Sequence, residues 1–168
     1  ALYNYSWFGD TIAVYIPRAA ALDVTAVTRT GADSLAAGQA DSVQVRVCVS
    51  NAGDTAILTA DTLVFTKNGA RASDSFVATR AAGNPALIPS LGSDTLLYYV
   101  TVPQWTRAET IVISAYVSGY DSTLLTALAN GSDSDLATGD TAWLYVADTV
   151  APDSVAGISA RSLAGGAR

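Results

Sequence analysis

The densest run of chemistry-bearing side chains is Asn130-Gly131-Ser132-Asp133-Ser134-Asp135, with Asp140 a little further on. Carboxylates at alternate positions of a Gly-containing loop can converge on a hard cation, which makes Asp133, Asp135 and Asp140 the candidate ligands for calcium. The spacing departs from an EF-hand loop, whose twelfth position must be a bidentate acid; counted from Asp133, that place holds Leu144. A solvated turn with Asp caps accounts for the same residues and is the favoured reading, so no cofactor is expected. Asn4-Tyr5-Ser6 and Asn130-Gly131-Ser132 match the N-glycosylation acceptor pattern, making Asn4 and Asn130 candidate glycan positions. Cys48, the one cysteine, lies on an alternating strand with no histidine available as its base, and reads as a buried, inert thiol.

The exclusions are firmer than the candidates. The 168 residues contain no histidine, which removes Ser-His-Asp and Cys-His catalysis and His-ligated metals. A single cysteine removes an internal disulfide and Cys-rich metal sites. The net charge of −6, with Lys67 the only lysine, lacks the basic footprint of a nucleic-acid binder. No apolar run approaches the length of a membrane helix, so no membrane insertion is expected. The carboxylates form no recognisable catalytic motif, and the chain is read as a non-enzyme.

The elements come from period-two alternation. Val43, Val45, Val47 and Val49 point one way, Gln44, Arg46 and Cys48 the other, and Asn51-Ala52-Gly53-Asp54 follows as a turn. Leu63-Val64-Phe65 lies in the next strand, which stops at Lys67-Asn68-Gly69, a hairpin signal. Ser75 to Arg80 is a short strand, and Thr95 to Val102 places Leu96, Tyr98, Val100 and Val102 on one face. Ile111, Ile113, Ala115 and Val117 form a second inward stripe, ended by Gly119, and Thr141 to Val146 carries Trp143 and Tyr145. Residues 122–129 suit a short helix or a strand. About seven short strands with frequent turns and one glutamate, Glu109, predict an all-β, immunoglobulin-like antiparallel sandwich.

The two ends of the chain resemble each other. Gly9-Asp10-Thr11-Ile12-Ala13-Val14-Tyr15-Ile16 aligns with Gly139-Asp140-Thr141-Ala142-Trp143-Leu144-Tyr145-Val146, an offset of 130 residues without a gap. Chance recurrence of common turn-and-strand residues is one reading; the other expects a tandem array cut out of phase, with 1–20 an N-terminal strand segment, the end of a preceding module or a donated strand. Residues 21–150 are the sandwich, and 151–168 are a linker or the opening of a following module. Tyr3, Tyr5, Trp7 and Phe8 crowd the first segment and mark it as an assembly strand, because so aromatic a strand is costly to leave in water.

Leu22 to Val27, Gly38-Gln39 and Val43 to Gly53, with the later Ile88-Pro89-Ser90-Leu91-Gly92-Ser93-Asp94, resemble the cell-adhesion-related domain found in bacteria. Ala151 to Ala160 is similar to the lead-in of a fibronectin type III module. Both resemblances imply an extracellular or cell-surface protein built of several modules. The expected function is a structural module of a bacterial extracellular filament or adhesion protein. It would pair strands with copies of itself or with adjacent modules. The alternative is a carbohydrate-binding accessory module of a secreted hydrolase, with surface polysaccharide as partner.

Overall fold

The computed structural model describes residues 2–7, 10–72, 75–103, 108–130 and 140–147. The described residues are all-β. None of their elements is a helix long and apolar enough to cross a membrane.

In chain order the strands are β1 (Leu2–Trp7), β2 (Asp10–Tyr15), β3 (Leu22–Thr30), β4 (Ser34–Ala36), β5 (Val43–Asn51) and β6 (Ala56–Lys67). They continue with β7 (Ala70–Arg71), β8 (Val77–Arg80), β9 (Leu87–Ile88), β10 (Ser93–Thr101), β11 (Glu109–Asp121), β12 (Ala127–Asn130) and β13 (Ala142–Ala147). One sheet has the order β3-β5-β10-β8, and the larger has the order β4-β13-β11-β6-β7, with β12 beside β11 and β9 beside β6. All pairs are antiparallel except β4 with β13, where Leu35 lies opposite Val146 in parallel register.

The valine stripe of β5 is the clearest link from sequence to core. Val43, Val45, Val47 and Val49 are at most 1% exposed, and each such burial contributes roughly 1.5–3 kcal/mol. Leu96, Tyr98 and Val100 of β10 line the same sheet's inner face, while Ile111, Ile113 and Val117 of β11 and Leu144 and Val146 of β13 come from the opposing sheet. The two stripes form one continuous core. Phe65 and Phe76 stack within it, ring centroids 4.6 Å apart. A polar tie also links the two sheets. The Tyr98 hydroxyl donates to Asp61 of β6 at 2.5 Å, and Arg80 Nε donates to the same carboxylate at 2.9 Å. Burial, then the Asp61 hydrogen bond, push the Tyr98 phenol well above its ordinary range.

The Asn-Gly signal holds at the level of dihedrals: Asn68 has φ 47° and Gly69 φ 77°, the paired positive values of a two-residue hairpin turn. The differences from expectation have local causes. The larger sheet gains β4, β7 and β9, each too short for periodicity to register. Gly119 does not end β11; a bulge between Ser118 and Gly119 carries the strand on to Asp121. Residues 127–130 are strand, following a turn after Asp121. The N-terminal segment, read as one strand, contains two, which pair with each other from Leu2↔Tyr15 to Trp7↔Asp10 and join neither large sheet.

Candidate docking clasp

Between β2 and β3 the chain runs along one end of the two packed sheets, and side chains from two turns there hold it. Each turn uses Asn or Asp, short side chains able to bond nearby backbone. In the β5–β6 turn, Asn51 is buried, and its Oδ1 accepts from Gly53 N at 3.2 Å and from Ala21 N at 3.1 Å. Its Nδ2 donates to the carbonyls of Asp54 at 2.5 Å and Pro89 at 3.2 Å. One amide thus ties its own turn, the β9–β10 turn and the linker together.

Asp54 holds Arg18 at both backbone groups. Its Oδ2 accepts from Arg18 N at 3.1 Å, and its own N–H donates to Arg18 O at 2.8 Å. Ala52 N donates to Ala21 O at 3.1 Å. Gly53 lies directly beneath the linker: a Cβ there would sit 1.8 Å from the carbonyl oxygen of Ala19, so no larger residue fits.

The third contact comes from the far end of β11. Asp121 is fully buried, and its Oδ2 accepts from Ala20 N at 2.6 Å. Its Oδ1 accepts from Thr123 N and Leu124 N, both at 2.7 Å. The Ala20 bond, then that of Leu124, hold this carboxyl below its ordinary pKa against the opposing effect of burial, with Thr123 adding to the lowering. A buried carboxylate is tolerable here because three N–H donors face it.

Above the clasp a cleft of about 450 Å³ opens between the stem of the β1–β2 hairpin and the sandwich end, lined by Tyr15, Ile16, Pro17, Arg18, Asp54 and Leu91 among others. A hydrogen bond to Asp54, with burial adding to it, raises the Tyr15 phenol above its ordinary range. Leu91 and Leu125, at φ 51° and 56°, hold the left-handed conformation that non-glycine residues avoid. Both are exposed at this end, as are Val14 and Ile16 of the incoming segment. The arrangement gathers backbone donors and acceptors of the linker around three side chains. It fixes where a segment enters and leaves an apolar rim around it.

The sequence-derived site residues fall elsewhere. Tyr3, Tyr5 and Trp7 lie on β1 opposite Val14, Ile12 and Asp10, and Asn4 lies opposite Ala13. Phe8, Asp133 and Asp135 lie outside the described residues. Asp140 sits at a partly exposed bend before β13, and among the described residues no three acids, cysteines or histidines gather as metal ligands. Asn130 uses its amide structurally: Oδ1 accepts from Val24 N at 2.9 Å, and Nδ2 donates to Asp23 at 3.3 Å. Cys48 is half-buried, its sulfur 3.7 Å from the Thr95 hydroxyl.

Asn51, Asp54 and Asp121 were not singled out from sequence as a site. The signal was present as Asn and Asp in turn positions, but that grammar does not say which distant backbone a side chain will meet. Comparison with known proteins adds no relative: no family model, no curated protein and no solved structure matches the chain.

Proposed function

We propose that this chain is a non-enzymatic structural module of a bacterial extracellular filament or surface protein, joined to neighbouring modules through its N-terminal hairpin. The carrying observation is the contrast between linker and hairpin: the linker is bonded to the sandwich by buried Asn51, Asp54 and Asp121, while among the described residues the hairpin it holds pairs only with itself. An isolated two-stranded hairpin is marginal in water. A partner surface would stabilise it, and the clasp sets the angle at which it is presented.

We read the sandwich as immunoglobulin-like. The orders β3-β5-β10-β8 and β13-β11-β6 correspond to the ABED and GFC sheets of that architecture, with β4 beside the last strand. The fold is a scaffold compatible with many roles, so the proposal rests on the clasp and hairpin.

The test compares the intact chain with a variant lacking residues 1–15, using light scattering and electron microscopy across a concentration series. Ordered assemblies formed by the intact chain and lost on deletion support the reading. Monomers from both forms at high concentration, or assembly indifferent to the deletion, overturn it.

A further inference from the structure

On the outer face of the larger sheet, β13 presents Trp143 and, two residues on, Tyr145; they are 61% and 45% exposed. Their neighbours Leu144 and Val146 point inward and are fully buried, so alternation fixes both aromatics outward. Val112 lies opposite Trp143, and Thr66 lies opposite Val112, so Thr66, Val112 and Trp143 form one row across three strands. Beside that row is a cleft of about 460 Å³, lined by Thr66, Asn68, Glu109, Thr110, Val112 and Trp143.

We infer that this cleft binds a neutral pyranose glycan. Such a ligand has an apolar C–H face for an indole and a rim of hydroxyls for paired donors and acceptors. Trp143 and Val112 supply the first, and the Asn68 amide, the Thr110 hydroxyl and the Glu109 carboxylate supply the second. Thr66 shapes the same cleft, and its hydroxyl, like that of Ser114, is buried without a hydrogen-bond partner among the described residues. Buried polar groups are rarely left so. Neutrality follows from charge: Lys67 is paired with Glu109 at 2.6 Å, and the chain carries −6, so acidic sugars and nucleic acid are repelled. Tyr145, about 7 Å further along the strand, offers a second stacking position for the next ring of a chain.

The platform is also braced. β4 pairs with β13 only from Tyr145 onward, leaving the Trp143 carbonyl at an open edge. Arg29 Nε reaches across from the other sheet and donates to that carbonyl at 2.9 Å.

The experiment titrates the full chain with cellohexaose, xylohexaose, mannohexaose and chitohexaose, read by calorimetry and tryptophan fluorescence. Binding to at least one is expected, weakened about tenfold or more by Trp143→Ala and less by Tyr145→Ala. Asn68→Gly, which keeps the left-handed turn and removes the amide, should also weaken it. Trp143 is exposed, so its variants should keep the parent's melting temperature, and Trp143→Phe should retain part of the affinity. No binding to any of the four at millimolar concentration overturns the inference, as does binding that Trp143→Ala leaves unchanged. Trp143-dependent retention on a phenyl resin without glycan binding would make the patch a protein-contact surface, and overturns it equally.

Discussion

Strands β2 and β13 are written almost alike and end in different surroundings. Gly9 to Ile16 and Gly139 to Val146 share the same glycine, aspartate and threonine and the same alternation. Leu144 and Val146 are fully buried between two sheets, whereas the matching Val14 and Ile16 are 41% and 48% exposed. Tyr15 and Tyr145 are exposed in both. The pattern therefore specifies a strand with one apolar face and leaves open what covers that face. For β13 the cover is the opposing sheet; for β2 we have proposed a neighbouring module.

Substitution can break this comparison at its strongest point. Leu144→Ala should cost about 2–5 kcal/mol, a loss of roughly 5–15 °C in melting temperature, measurable by calorimetry. A cost under about 1 kcal/mol would mean that β13 is not part of the core. Next in size is the clasp: Asn51→Ala strands several backbone groups and should cost about 2–3 kcal/mol. Hydrogen exchange should then rise at Ala20 and Ala21 and stay unchanged on β5. Uniform loosening would show that Asn51 serves the core rather than the linker.

Asp121 gives the comparison a pH axis. Its folded-state pKa is lowered, so its contribution is fully present above the ordinary aspartate pKa of about 4 and is lost as pH falls through the folded value. Linker protection should fade on acidification below that range. Asp121→Asn should remove this acid sensitivity and lower the melting temperature by several degrees at neutral pH. Acid sensitivity that survives in the variant would assign it to another carboxylate.

The smallest expected effect sharpens the contrast most. Val14→Ser should change the stability of the monomer by no more than about 0.5 kcal/mol, an order of magnitude below the Leu144 effect, yet should impair assembly. A large stability loss in dilute monomer would place β2 in the core after all.

Much of the sandwich was legible because its signals are local. The stripes of β5, β10 and β11 and the Asn68-Gly69 turn are periodicities and dihedral preferences carried by adjacent residues. The short strands β4, β7 and β9 escaped notice, being two or three residues long and owing their existence to a neighbour's unpaired edge, while β12 fell in a stretch read as helix or strand. The clasp was illegible for a related reason. Asn51 to Ala21, Asp54 to Arg18 and Asp121 to Ala20 join residues 30, 36 and 101 positions apart, and no turn signal encodes a distant donor. Composition and alternation alone settled the all-β class, the inward faces and the absence of histidine chemistry, since these depend on side-chain type and a two-residue period. The pairing of strands, the burial of Asp121 and the gathering of Thr66, Val112 and Trp143 in one row were left to the tertiary structure. Each depends on which backbone groups remain unsatisfied once the sheets have packed.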